Sequence, residues 1–201
     1  MILSRNDLRR ALKAGKIGFT PELEESQWGE ASIDLRLGFS FTKFEKVEGV
    51  TLDVSKGLQA LGQSNFYKTK ELSPFDGFGE PESFILHPTN FVLAMTYESI
   101  KVPLNMIALV EGRSTYARVG LSMHQTAPWI QPGWSGPIIL EIMNNGSIDI
   151  RLTPLKDRPC QITFFELKSP VPKKAGYGTR ATDSYQDQRH PLRHPKAKRK
   201  N

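Results

Sequence analysis

Residues 121–152 read LSMHQTAPWIQPGWSGPIILEIMNNGSIDIRL, and the punctuation of this stretch decides the fold class. Two apolar runs, Pro137–Met143 and Ile148–Leu152, are separated by Asn144-Asn145-Gly146, and the turn residues Pro132-Gly133 precede the first. Short apolar or alternating runs between Gly, Pro and Asn clusters are strand signals, whereas a helix needs a longer 3.6-residue period. The pattern continues outward. Ser83–His87, Phe91–Tyr97, Met106–Glu111, Leu121–Thr126 and Gln161–Leu167 are further predicted strands, with breaks at Pro88-Thr89-Asn90 and Asp157-Arg158-Pro159. Upstream, Ile33, Leu35 and Leu37 alternate with Asp34 and Arg36, and Phe39, Phe41 and Phe44 suggest one more strand. Many short strands with such breaks predict a mainly β sandwich, jelly roll or barrel. Residues 55–79, carrying Gly57, Gly62, Pro74, Gly77 and Gly79, are predicted as loop.

Helical signals are few. Leu3 to Gly15 reads as a short helix: Ser4 and Asp7 form a capping-box-like start, Leu3 and Leu8 occupy the staple positions, and Gly15 suits the C-terminal stop. One or two turns are predicted at Ser114–Val119, with Ser114 near the cap.

The 201 residues suit one domain, and 38% hydrophobic with 24% charged residues is ordinary for a globular chain. No apolar run approaches the ~18 residues of a membrane helix, and Met1–Asp7 contains no secretory h-region, so a cytoplasmic location is expected. The single Cys160 excludes an internal disulfide and any zinc site that needs two thiolates. The net charge of +6 is localised: Arg189–Asn201 holds six basic residues and no acid, and the rest carries 21 of each sign. Such a tail is expected to be a solvated end, with nucleic-acid contact as the alternative. From Lys168 the strand pattern decays, which divides the chain into a β domain, 1–167, and a C-terminal tail, 168–201. Tyr177 and Tyr185 stand out in that tail, where nothing in the sequence would bury them in the core.

Two stretches could carry chemistry. In Glu111–Gly120, Ser114 and Arg118 are four apart and share a face if helical, and Arg113 with Ser114 at a helix start would make an anion site. The alternative is a surface turn with two solvated arginines. In the strand Pro137–Met143, Glu141 lies among apolar residues, where an ionised carboxylate needs a partner, and Arg118 or Arg113 is expected to supply it. The alternative is that strand alternation turns Glu141 to solvent. A buried, paired glutamate would suit a general base. Cys160 is expected to pack as a small apolar residue, and His87 and His124 to be structural. Trp134 is expected to pack in a turn; Trp129 stays open between core and base stacking.

Gly112-Arg113-Ser114-Thr115-Tyr116-Ala117-Arg118-Val119-Gly120-Leu121 resembles the GRSSxARxGL motif of the dCTP deaminases, members of the dUTPase superfamily. Thr126-Ala127, Ile130-x-Pro132-Gly133-Trp134-Ser135-Gly136 and Leu140-Glu141 are similar to that family's second block. Ala31–Gly38 resembles its S-x-D-x-R-L-G element and Phe84–Pro88 its F-x-L-x-P strand. The resemblance implies a dUTPase-like distorted jelly-roll β-barrel with a short N-terminal helix and few others. It implies a homotrimer with sites at subunit boundaries and hydrolytic deamination of dCTP to dUTP and ammonia. No zinc is implied, and Mg2+ would ride on the triphosphate. Inhibition by dTTP is plausible for the family. Carried over by position, Glu141 is the general base, Ser114 and Arg118 hold the water and the glutamate, and Ala127 offers backbone contact to the water and base. Arg113, Thr115, Trp129, Gln131, Ile139, Leu140, Tyr177 and Gln188 are the implied substrate contacts. Arg113 and Ser114 would reach phosphates from a neighbouring subunit, and residues 168–188 would close over the nucleotide.

Some positions depart from the pattern. Gln131 replaces the aspartate of I-D-P-G; glutamine can bind a hydroxyl but cannot act as a base, which argues against dUTP hydrolysis. Pro128 and Trp129 replace a polar pair, which leans towards bifunctional enzymes that proceed to dUMP. Ser184 replaces the lysine of K-Y-Q-x-Q, removing a phosphate-directed ammonium. Leu155–Cys160 departs from the usual P-G-M turn and is longer, which reads as a hairpin variant without catalytic meaning. The implied alternatives are therefore a bifunctional deaminase–diphosphatase and a non-catalytic nucleotide-binding regulator.

Overall fold

The computed structural model describes residues 1–45, 48, 49, 51, 53, 66–75, 77, 79–180, 183, 185–188 and 190–192. Ser184, Arg189 and 193–201, including most of the basic tail, lie outside the described residues. The rest is mainly β. The order is α1 (Arg5–Lys13), β1 (Gly18–Thr20), β2 (Ile33–Leu35), β3 (Leu37–Phe44), β4 (Tyr67–Glu71), β5 (Phe84–Leu86), β6 (Phe91–Lys101) and β7 (Met106–Gly112). Then follow α2 (Ser114–Ala117), β8 (Leu121–Ser122), β9 (Trp129–Ile130), β10 (Ser135–Asn144), β11 (Ile150–Leu152) and β12 (Cys160–Glu166).

All pairings are antiparallel. One sheet runs β4-β3-β6-β10-β8 with β1 also on β6, a second runs β2-β12-β7-β9, and β11 pairs with β5. Their inner faces share one core, in which Phe19 of β1 meets Phe164 of β12 edge-on at 6.2 Å and Phe41 of β3 stacks on Phe84 of β5 at 4.6 Å. Fully buried side chains such as Leu35, Leu140, Ile142 and Ile162 each contribute about 1.5–3 kcal/mol through burial. No helix among the described residues is long and apolar enough to cross a membrane.

The helix ends follow their local chemistry. Ser4 and Asp7 form a reciprocal capping box on α1, Leu3 and Leu8 are buried, and Gly15 after the last turn takes φ +65°. α2 forms where expected, as a single turn: Arg113 is its N-cap, without a side-chain cap bond, and Ser114 next to it is the first helical residue. Three strand expectations also change. Tyr67–Glu71 forms a strand inside the expected loop 55–79, because its edge pairs with β3 along Ser40–Phe44. The strand predicted over 121–126 ends at Ser122. Gly18–Thr20 and Trp129–Ile130 are short strands recruited by tertiary pairing to β6 and β7.

Two buried polar centres brace the frame. Fully buried Glu98 accepts from Arg36 Nε at 2.6 Å, from Arg36 N–H at 2.9 Å and from Gln27 Nε2 at 3.0 Å. Fully buried Asn144 donates to the carbonyls of Leu86 at 2.9 Å and Ile148 at 2.8 Å, tying the end of β10 to β5. Cys160 is buried in β12, as its apolar surroundings led one to expect.

Candidate active site

β10 carries the decisive alternation. Gly136, Ile138, Leu140, Ile142 and Asn144 are buried, while Pro137, Ile139, Glu141 and Met143 are half-buried on the other face. Glu141 therefore lies neither in the core nor in bulk water, and opposite Leu93 of β6. The register slips between Pro137 and Ile139, and Thr96 Oγ1 takes up the freed N–H of Ile138 at 2.9 Å.

The expected arginine partners of Glu141 do not form within the chain. A segment beside β10 holds it instead. Gln125 N–H donates to Glu141 Oε2 at 2.9 Å, and Gln125 Nε2 donates to the Glu141 carbonyl at 3.2 Å. Glu141 N–H donates to Met123 O at 3.0 Å. Arg113 pairs with Asp34 at 3.1 Å, and exposed Arg118 makes no ion pair with a described residue. The physical reason is placement: α2 packs at the Asn144 end of β10, where Gly120 presses on Gly146, and its polar side chains face outward. A Cβ on Gly120, itself at φ +88°, would run into the Gly146 backbone nitrogen.

A cavity of about 280 Å³ opens over the half-buried face of β10. Of the residues implied by the resemblance, Ala127, Trp129, Gln131, Ile139 and Glu141 line it, joined by Tyr177 and Gln188 from the tail. Arg113, Ser114, Thr115 and Arg118 do not. Leu140 points its side chain into the core, fully buried, because it is one residue out of phase with Glu141. Trp134 is buried, with its indole N–H on Gly136 O at 3.1 Å, the expected turn packing, and it also borders the cavity. Trp129 is half exposed there and tilts against Phe165 at 5.9 Å.

The tail is bound where the sequence offered no core for it. Tyr177 packs on Trp134 at 5.1 Å, its N–H donates to Pro132 O at 2.8 Å, and its hydroxyl accepts from Tyr185 N–H at 3.2 Å. The seat is Gly133, at φ +92°, where a Cβ would stand 2.9 Å from Tyr177 N. Both tyrosines are half-buried against the core cluster, which corrects the expectation that nothing would bury them. Burial raises the Tyr177 phenol's pKa; burial and then the charge of Glu141 raise that of Tyr185. Fully buried Gln188 donates to the carbonyls of His190 at 2.6 Å and Pro191 at 2.9 Å, while its Oε1 has no partner among the described residues. The sequence reading missed Gln125 as the partner of Glu141 and left Tyr185 and Leu93 outside the site. For Gln125 no signal existed, because its contact is a backbone N–H.

A profile described as dCTP deaminase-like matches residues 2–167. The chain belongs to that family. It is 37% identical over 179 residues, 89% of the chain and 86% of the relative, to a dUMP-forming dCTP deaminase of Methanosphaera stadtmanae. It is also 37% identical over 194 residues, 96% of the chain and 95% of the relative, to a dCTP deaminase of Rhodospirillum rubrum. Among solved structures, a 2′-deoxycytidine 5′-triphosphate deaminase from Agrobacterium tumefaciens superposes with TM-score 0.60 at 23% identity, covering 81% of this chain and 46% of that one. At that identity the likeness bears on the fold, and it agrees with the expected mainly β class. For this dCTP deaminase-like chain, the cavity on β10 is the candidate active site.

Proposed function

We propose that this chain deaminates dCTP, with Glu141 as the general base. The observation that carries the reading is the placement of Glu141. Its carboxylate is half-buried at an aromatic-lined cavity, fixed by a backbone N–H on one oxygen. A base so held is pre-oriented, which general base catalysis requires. In the proposed reaction Glu141 takes a proton from water, and the water oxygen bonds to C4 of the cytosine. The proton passes to N3; the remaining water proton, on the C4 hydroxyl, is carried by Glu141 to the exocyclic amine, the C4–N bond breaks as C4=O forms, and ammonia leaves with dUTP as the other product. Ala127, Ile139 and Trp129 border the place of the base, and Gln188 borders the cavity from the tail.

Ser114 and Arg118 are exposed and stand outside this cavity, which supports a site completed by a second copy of the chain. An apolar strip on the outside of the β2-β12-β7-β9 sheet fits that view. Exposed Ile2 bridges to Phe165, and Phe165 meets half-exposed Trp129. Homotrimers place such strips between copies, and light scattering after size exclusion tests the assembly. Among the described residues no group of three or more His, Cys, Asp or Glu stands together as a metal site. Magnesium is proposed to enter on the triphosphate oxygens, as part of the substrate.

The product separates the two readings that the relatives leave level. Incubation with dCTP and magnesium, followed by chromatography, is expected to accumulate dUTP, since Gln131 at the cavity has no basic group. Accumulating dUMP would establish the bifunctional reading instead. Unchanged dCTP with intact binding would overturn the deaminase and leave a nucleotide-binding protein.

A further inference from the structure

Tyr116 stands at the variable position of the Gly-Arg-Ser stretch, and Asp157 lies in the turn where the chain departs from the family pattern. These two positions meet. Tyr116 Oη donates to Asp157 Oδ1 at 2.9 Å and accepts from Arg158 N–H at 3.2 Å. The other Asp157 oxygen accepts from Thr153 N–H at 2.6 Å, so the carboxylate is fixed in its own turn. One residue on, the Arg158 carbonyl accepts from Arg113 Nη1 at 3.0 Å. The Arg158 guanidinium is anchored in turn on Glu24 at 2.9 Å and on Ser26 O at 2.7 Å. Glu24 also holds Arg36 at 2.6 Å, and Arg36 holds buried Glu98. The turn is therefore tied to the barrel's buried polar centre.

α2 needs such support. It has four residues, none buried, and no side-chain cap. A single helical turn does not sustain itself in water. Tyr116 alone of its side chains packs against the core cluster.

We infer that the Leu155–Cys160 turn is a positioning device for the Arg113–Arg118 segment, in which the Tyr116–Asp157 hydrogen bond sets how that segment meets the triphosphate. This rests on the nucleotide reading above and replaces the expectation of a hairpin variant without catalytic meaning. Tyr116 and Asp157 are positioning residues; neither touches the reacting atoms. Burial, and then the neighbouring Asp157 carboxylate, push the Tyr116 phenol up to about 12, so the donor keeps its proton at working pH.

The test measures the dCTP–magnesium dissociation constant in a Glu141→Gln background, where turnover is suppressed. Tyr116→Phe keeps the ring and its packing. A hydrogen bond to a charged group supports a weakening of about tenfold for Tyr116→Phe and for Asp157→Ala. The double variant is expected to be weakened about tenfold as well, because both changes remove one contact. Asp157→Asn keeps one acceptor oxygen but sets an amide NH2 against either the Tyr116 hydroxyl or the Thr153 N–H, so its binding is expected to fall between that of the parent and that of Asp157→Ala. Single variants that bind like the parent, or a double variant weakened by the product of the singles, would overturn the inference. A merely structural role would lower the Tm of all variants alike without this coupling. Separately, a wild-type chain that releases no ammonia from dCTP overturns the deaminase reading, while the binding cycle still decides the role of the turn.

Discussion

The cavity on β10 and the α2 turn carry the two halves of the implied site, and they are built by opposite means. The cavity half is made of regular sheet. Glu141 inherits its position from strand alternation, from the register with β6 and from a backbone N–H, while the tail roofs it. The α2 half has no ladder to hold it. Its backbone is pinned by Gly120 against Gly146, and its side chains by Tyr116, Asp34 and the Arg158 carbonyl. The sheet fixes a group to within its own rigidity, which suits a base that must meet one atom. A turn held from below leaves Ser114, Thr115 and Arg118 outward, which suits residues offered to another copy. The difference teaches how one chain could hold the proposed base rigidly and offer α2 to complete a neighbour's site, as proposed above.

The largest effect is expected at the centre of the rigid half. Glu141→Gln keeps the shape and a hydrogen-bond acceptor but removes the proposed base, so ammonia release should fall by at least about 10³-fold. dCTP binding, read by calorimetry, should stay within about threefold. Turnover close to wild type would remove Glu141 from the mechanism. The next prediction tests whether the two halves meet across copies. Arg118→Ala alone should also be nearly inactive. Refolding it from denaturant with Glu141→Gln in equal amounts should restore about a quarter of wild-type activity, since random mixing reunites intact halves at that share of boundaries. No recovery would place both halves of a working site in one chain.

This division also explains what was legible in the sequence. Most strands between Phe84 and Glu166 could be read because several of their apolar runs stop at Pro88, Gly112 or Asn144, and the capping box of α1 is a local code. β4 and β9 were hidden, since Tyr67–Glu71 carries no apolar run and Trp129–Ile130 is only two residues long, so neither shows a strand pattern. Within the site, Glu141, Ala127 and Tyr177 were legible through a resemblance of ordered motifs. The even choice between a buried and a solvent-facing Glu141 resolved to a half-buried position that pattern alone does not encode. Its expected arginine partner does not form within the chain, because proximity in motif order is not proximity in space. The Tyr116–Asp157 contact was out of reach: forty-one residues separate its partners, and each looked like tolerated variation.

A smaller effect tests how α2 is pinned. Gly120→Ala would put a methyl into the Gly146 backbone at a positive φ, so the turn must shift. A loss of about 2–4 kcal/mol in denaturant unfolding is expected, along with weaker dCTP binding. Stability like the parent's would mean that the Gly120–Gly146 contact does not hold the turn.

The smallest expected effect concerns Asp34, the partner of Arg113. Burial raises its carboxyl pKa, and the charges of Arg113 and Arg158 only partly oppose this. A folded-state pKa above the unfolded value means that the native state binds the proton more tightly. Stability then falls as pH rises from the unfolded carboxyl value, ~3.9, towards the raised folded one. Asp34→Asn cannot titrate, so its Tm relative to wild type should improve as pH climbs through that window and then level off. The same change frees Arg113 from its ion pair. The outcome to expect is therefore a slightly more stable protein near neutrality that binds dCTP a few-fold more weakly, as about one exposed-to-half-buried ion pair of orientation is lost. A Tm difference that does not change with pH would show that the Asp34 carboxylate is not penalised by burial. Unchanged binding would show that Arg113 is held by the Arg158 carbonyl alone. Either result would move the cost of presenting Arg113 from the buried frame to the turn above it.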